Sequence, residues 1–151
     1  MSEYLKLMEL TKWDKLFMDI ALRVAEESKS TRLKVGSVLV KDNRIISSGF
    51  NGLVSGYEPD ILFDETTGRD SVDVVHSEIN AILYCARYGI STEGCTLYVT
   101  HIPCRVCSSS IATAKIAEVK YLNDYRDKTG IDKLKQYGVK ITKLNYEIST
   151  H

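Results

Sequence analysis

Apolar and polar positions recur along this chain with two periods, and the switches between them mark its elements. From Thr11 to about Lys29, Trp13, Leu16, Phe17, Ile20, Ala21 and Val24 return at helical spacing. Thr11 as N-cap with Asp14 three residues on is the pattern that opens such a helix. Val35-Gly36-Ser37-Val38-Leu39-Val40 and Ile45-Ile46-Ser47-Ser48-Gly49-Phe50 are β-branched runs separated by Lys41-Asp42-Asn43-Arg44. A polar connection of that length predicts an antiparallel hairpin. No period is sustained from Asn51 to Val75, which carries Gly52, Gly56, Pro59 and Gly68, so a long functional loop is expected there.

The second half alternates more regularly. Ser77 to Tyr88 places Ile79, Ala81, Ile82, Leu83, Cys85 and Ala86 in a buried helical pattern that stops at Gly89. Thr96 to Thr100 reads as a short strand. Pro103 suits the first turn of a helix continuing through Ile111 and Ala114. Glu118 to Leu122 predicts a fourth strand, Ile131 to Tyr137 a helix closed by Gly138, and Lys140 to Leu144 a last strand. The order αββαβαβαβ makes an α/β chain with a mixed five-stranded sheet flanked by helices.

Composition narrows the class. A chain of 151 residues, 44% hydrophobic and without a linker or low-complexity tract, is expected to form a single domain over residues 1–151. Its 20 Lys and Arg balance 20 Asp and Glu. That removes the field expected of a protein gripping long nucleic acid, while a local basic pocket stays open. No window approaches the roughly 18 consecutive apolar residues of a membrane span. Met1-Ser2-Glu3-Tyr4 is acidic where a secretory signal puts positive charge, so a cytoplasmic location is expected. Four cysteines are too few for a disulfide scaffold, and Cys104 and Cys107 form a Cys-x-x-Cys pair suited to metal or redox chemistry.

His76-Ser77-Glu78 opens one predicted helix and Pro103-Cys104-Arg105-Val106-Cys107 opens the next. H-x-E followed by P-C-x-x-C is the signature of zinc deaminases. His76, Cys104 and Cys107 supply three ligands to a tetrahedral Zn2+ and leave the fourth position for water, whose pKa the metal lowers toward roughly 7. Glu78 stands two residues from the histidine, close enough to shuttle protons without competing for the metal. Unpaired amides and the dipole at a helix N-terminus stabilise the two thiolates. Two competing readings are a redox pair, which needs no H-x-E partner, and a closed structural zinc. The closed site would need a fourth ligand from His101, Cys85, Cys95 or His151, none of which has partner-like spacing. Cys85 and Cys95 fit core positions better, and His101 is either a positioning or a structural histidine.

With these motifs the chain resembles the deoxycytidylate deaminase branch of the cytidine deaminase superfamily, over roughly Trp13 to Tyr125. Val35-Gly36-Ser37-Val38 looks like that family's V-G-A-V, Gly49-Phe50-Asn51-Gly52 like its G-Y-N-G, and Tyr98-Val99-Thr100 like its Y-V-T. Ser77 replaces the family's usual Ala. The resemblance implies a three-layer cytidine-deaminase-like fold and hydrolytic deamination of dCMP to dUMP at C4. It gives Asn51 to the sugar or base, and the backbone of Ser77 and Pro103 to the ring edge. The phosphate goes to Ser30, Thr31, Arg32 and Lys34, with Tyr125 reaching in. It further implies a homohexamer activated by dCTP and inhibited by dTTP, with Mg2+ accompanying the triphosphate. An effector site is expected near Gly49, Asn51, Gly52, Tyr84 and Arg87. The alternatives are a turn role for Asn51, a solvated loop at Ser30 to Lys34, and a surface Arg87 with a packed Tyr84. For the whole chain they are deamination of dCTP, a tRNA or single-stranded DNA deaminase, and a non-catalytic zinc protein.

Overall fold

Residues 10–56 and 62–145 are described by the computed structural model of the chain. The Met1 to Tyr4 start, Pro59 and His151, and the stretch after Asn145 expected as a tail or oligomer contact, lie outside the described residues. Helix α1 (Lys12–Ala25) precedes the hairpin of β1 (Gly36–Lys41) and β2 (Arg44–Phe50). A small hairpin, β3 (Phe63–Asp64) and β4 (Arg69–Asp70), leads to α2 (Ser77–Tyr88). Then follow β5 (Thr96–His101), α3 (Arg105–Thr113), β6 (Glu118–Asn123), α4 (Thr129–Gln136) and β7 (Lys140–Lys143). The main sheet has the order β2-β1-β5-β6-β7. Strand β1 runs antiparallel to both its neighbours, β2 and β5, and β5, β6 and β7 run parallel.

Alternate residues of each strand feed the two cores. Leu39, Leu97, Val99 and Val119 pack with Ala81, Ile111 and Leu134 of α2, α3 and α4. Val38, Val40 and Tyr98 pack on the opposite face against Phe17, Met18 and Ala21 of α1. The mixed sheet between helical layers agrees with the sequence reading. Asp42 and Asn43 both adopt positive φ (51° and 58°), as a type I′ hairpin turn requires. The α1 capping box forms as expected, with Asp14 N–H on Thr11 Oγ1 at 3.0 Å and Thr11 N–H on Asp14 at 3.3 Å.

Four features depart from the sequence reading. Pro103, expected in the first turn of its helix, stands one residue ahead of the α3 N-cap, Cys104. Helix α1 stops at Ala25 instead of Lys29. The Ser28 hydroxyl there turns inward to donate to Asn51 O at 2.8 Å, and serine hydroxyls bonding local backbone compete with helix. Helix α4 begins at Thr129, before Ile131, because Asp127 accepts from both the N–H and the hydroxyl of Thr129. It therefore contains Gly130, where a Cβ would sit 1.9 Å from Pro103 O; only glycine lets α4 lie on the approach to α3. The stretch from Asn51 to Val75 is also not wholly irregular, since it holds the β3–β4 hairpin, which two-residue strands give no period to reveal. Among the described residues no helix is long and apolar enough to cross a membrane.

Candidate active site

The site lies at the carboxyl end of β5, where α2 and α3 begin, and parallel strands commonly place chemistry there. His76 is the N-cap of α2 and Cys104 the N-cap of α3, both in extended backbone conformation. Cys107 lies in the first turn of α3, and its N–H approaches Cys104 Sγ at 3.4 Å. His76 Nδ1 is 3.2 Å from Cys107 Sγ and 3.6 Å from Cys104 Sγ. These three donor atoms lie within 4.8 Å of one another.

The donor set fits zinc with one open position. All four cysteines are free, and no other His, Cys, Asp or Glu among the described residues joins the cluster. Cys85 and Cys95 are fully buried in the apolar core. His101 turns its Nδ1 to Thr100 Oγ1 at 2.9 Å, and burial pushes its pKa down, so it lines the wall as a neutral ring. A hydrogen bond from Cys107, with the neighbouring His76, brings Cys104 down to about 4, a ready thiolate. The Cys107 thiol is pushed up by that shared bond and by burial.

Glu78 is 4% exposed and forms part of the cavity lining. Burial raises its pKa, opposed by the hydroxyl of Ser77, which donates to Oε1 at 2.7 Å. The cavity measures about 390 Å³. His76, Glu78 and Cys104 line it, and so do Arg32, Arg69 and Tyr125.

Arg32 ties two other lining residues together. Its Nη1 donates to Asp70 Oδ2 at 3.0 Å, and its Nη2 meets the Tyr125 hydroxyl. The other Asp70 oxygen, Oδ1, is buried without a hydrogen-bond partner. Ser30 is buried and acts one step back, its Oγ accepting from the N–H groups of Arg32 at 3.3 Å and Leu33 at 3.2 Å. Asn51 lines the cavity, yet its carboxamide is engaged in the wall: Nδ2 donates to Leu33 O at 2.8 Å and Oδ1 accepts from Val35 N at 2.9 Å.

The structure thus gathers His76, Ser77, Glu78, Cys104, Asn51, Arg32 and Tyr125 around one cavity. Thr31 and Lys34 are exposed and do not line it. Pro103 is buried, with its carbonyl facing Gly130. Gly49 packs so closely on α2 that a Cβ would meet Ser77 O at 2.4 Å. Gly52 pairs with Val75 in an isolated bridge that ties the long loop to the start of α2. Tyr84 and Arg87 are exposed on α2, outside the cavity. Sequence reasoning did not find Arg69 and Asp70, because they come from the segment without a period; a charged pair on a buried pocket wall leaves no local signal.

The family described as "Cytidine and deoxycytidylate deaminase zinc-binding region" matches residues 11–123. The "Deoxycytidylate deaminase" of Mycobacterium phage D29 is 39% identical over 122 residues, covering 72% of this chain and 93% of that protein. "ComE operon protein 2" of Bacillus subtilis (strain 168) is 38% identical over 124 residues, 79% of this chain, and the chain spans 64% of its length. Among solved structures, a dCMP deaminase from the cyanophage S-TIM5, in complex with dCMP and dUMP, aligns with a TM-score of 0.85 at 35% identity. That alignment covers 90% of this chain and 99% of the phage chain. The matched span holds the His76, Cys104 and Cys107 cluster, with Glu78 lining the same cavity, on a five-stranded mixed sheet, and the chain belongs to the cytidine and deoxycytidylate deaminase family.

Proposed function

We propose that the chain catalyses hydrolytic deamination of dCMP to dUMP and ammonia, a step toward thymidylate. One observation carries the reading: the cavity lined by His76, Cys104 and Glu78 is lined by Arg32, Arg69 and Tyr125 as well. A pyrimidine nucleotide needs proton chemistry at its base and cations at its phosphate, a few ångströms apart, and this cavity offers both. His76, Cys104 and Cys107 would hold a zinc ion, which when bound would supply an activated water.

Glu78 is the residue that moves protons. Its carboxylate accepts one from the attacking water, delivers it to the ring nitrogen beside C4, and assists protonation of the departing amino group. The backbone of Ser77 and the Pro103 segment hold the ring edge. Asn51 keeps one amide hydrogen after bonding Leu33, enough to meet the sugar while fixing the loop wall.

Arg32 and Arg69 are offset by Asp70, leaving one net positive charge among the three. That balance supports a monophosphate over a triphosphate. Ser30 orders the Arg32 turn, while exposed Thr31 and Lys34 are available only to a longer phosphate chain. Effector control by dCTP and dTTP with Mg2+, and assembly as a cytoplasmic hexamer, complete the proposal on the strength of the resemblance. Exposed Tyr84, Tyr88 and Arg87 offer a stacking surface for an effector base, with ring centroids 4.8 Å apart and Arg87 5.2 Å over Tyr88.

Ultraviolet-monitored deamination by the zinc-loaded protein on dCMP, CMP and dCTP, each with and without dCTP or dTTP plus Mg2+, tests the reading. Turnover of dCMP supports it, and acceleration by dCTP supports the effector part. Consumption of dCTP in preference to dCMP would replace the substrate assignment. Inactivity on all of them with zinc bound would overturn the reading.

A further inference from the structure

Behind Glu78, away from the cavity mouth, two buried hydroxyls stand in line. Ser37 lies on β1 and Ser77 is the first residue of α2, and both are completely buried. Their Oγ atoms are 2.7 Å apart, and Ser77 Oγ lies 2.7 Å from Glu78 Oε1. The Ser77 hydroxyl donates to Glu78 Oε1, and a hydroxyl has only one proton to give. The bond between the serines must then run the other way, with Ser37 donating to Ser77. The result is a directed chain, Ser37 to Ser77 to Glu78, in which each bond polarises the next.

Its anchor is rigid. Ser37 belongs to a strand paired on both sides, opposite Gly49 of β2 and Val99 of β5. Ser77 is pinned in turn, because Gly49 brings β2 against its carbonyl. A glutamate side chain has three rotatable bonds, and burial alone does not choose which of its oxygens faces the reacting atoms. A hydroxyl aimed at Oε1 makes that choice and leaves the other oxygen for proton transfer. The sequence adds that both hydroxyls stand where the resembling patterns, V-G-A-V and the residue after His76, carry alanine.

We propose that Ser37 and Ser77 act as a pair of positioning residues that fix the Glu78 carboxyl for proton transfer. The inference rests on Glu78 being the proton shuttle. The backbone N–H of Ser77 is untouched by side-chain substitution, so substrate affinity should not change with the hydroxyl.

The test is a double-mutant cycle on the zinc-loaded enzyme with dCMP, using Ser37→Ala, Ser77→Ala and both together, with kcat, KM, zinc content and melting temperature recorded. Ser77→Ala is expected to lower kcat roughly tenfold, the loss of one hydrogen bond to a charged group, with KM and zinc unchanged. Ser37→Ala should lower kcat less, and nothing further once Ser77 is gone, because it acts only through Ser77. Each single change strands a buried hydroxyl or its partner and should lower melting by roughly 3–8 °C; removing both should restore much of that. Recovered melting with kcat still low separates positioning from packing. Unchanged kcat in Ser77→Ala would overturn the inference, as would kcat recovering alongside melting in the double variant. Glu78→Gln tells this failure from that of the underlying reading: if that variant is inactive while Ser77→Ala is unaffected, only the hydroxyl chain falls.

Discussion

Two carboxylates sit in the first turns of two helices, on opposite faces of the sheet, with about the same small exposure: Glu78 is 4% and Asp14 5% exposed. Asp14 has a cation. Its Oδ1 accepts from Lys120 Nζ at 2.7 Å and from the Tyr98 hydroxyl at 2.8 Å, and the carboxyl also closes the α1 capping box. Burial works to raise its pKa, but those bonds outweigh it and the net direction is down. Among the described residues Glu78 has no Lys or Arg partner; it has the Ser77 hydroxyl and a cavity, and burial wins, so its pKa goes up. The same residue class with the same small exposure therefore does opposite work, Glu78 lying deeper among protein atoms than Asp14. A carboxyl paired with a lysine holds two elements together, and a deeply buried one without such a partner, beside a cavity, can take up and release a proton.

Removing the charge at each position should cross over. Glu78→Gln is expected to reduce kcat on dCMP by roughly a thousandfold with zinc retained and melting unchanged or higher. Substantial activity there would remove Glu78 from proton transfer. Asp14→Ala should leave kcat per folded molecule unchanged while costing about 3 kcal/mol of stability in denaturant unfolding, because Lys120 and Tyr98 keep no buried partner. A loss of kcat comparable to that of Glu78→Gln would break the comparison.

The pH behaviour sharpens it. Asp14 has a folded-state pKa below its ordinary 3.8. Its contribution is therefore fully present above the unfolded value and is lost as pH falls through the folded one. The stability gap between the native chain and Asp14→Ala should stay constant at neutral pH and close only below about pH 4 in acid titration. A gap that changes between pH 6 and 8 would assign the effect to another group.

Smaller effects belong to Arg32 and Asp70, where charge is half exposed. Arg32→Ala should raise KM for dCMP by roughly tenfold with little change in kcat, since it removes a phosphate contact present before and during reaction. Asp70→Asn should lower that KM by about threefold, by withdrawing a like charge that competes for Arg32 in a solvated setting. Steady-state kinetics on dCMP and on deoxycytidine separate the two, because neither change should affect the nucleoside.

These two groups of residues also differ in how far the sequence revealed them. His76, Glu78, Cys104 and Cys107 were legible because metal ligation and helix starts impose fixed spacings on residue types that seldom fall together by chance. The five strands and four helices were legible for the same local reason, a sustained period. The Arg32 and Asp70 pair was not. Arg32 was expected at the phosphate, but its ion pair with Asp70 spans 38 positions of chain, and Asp70 sits on a strand of two residues. Asn51 shows a third case: its identity pointed to the site, while the two bonds that engage its carboxamide appear only once Leu33 and Val35 are folded beside it.

Because Glu78 and Arg32 line one cavity, the proposed recognition of a nucleotide is tested most directly by the ratio of kcat/KM for dCMP to that for deoxycytidine in the zinc-loaded enzyme, repeated with Arg32→Ala. A strong preference for dCMP is expected, one that collapses in the variant through KM while turnover of deoxycytidine stays as it was. Equal use of the nucleotide and the nucleoside, or a preference unmoved by loss of Arg32, would contradict it.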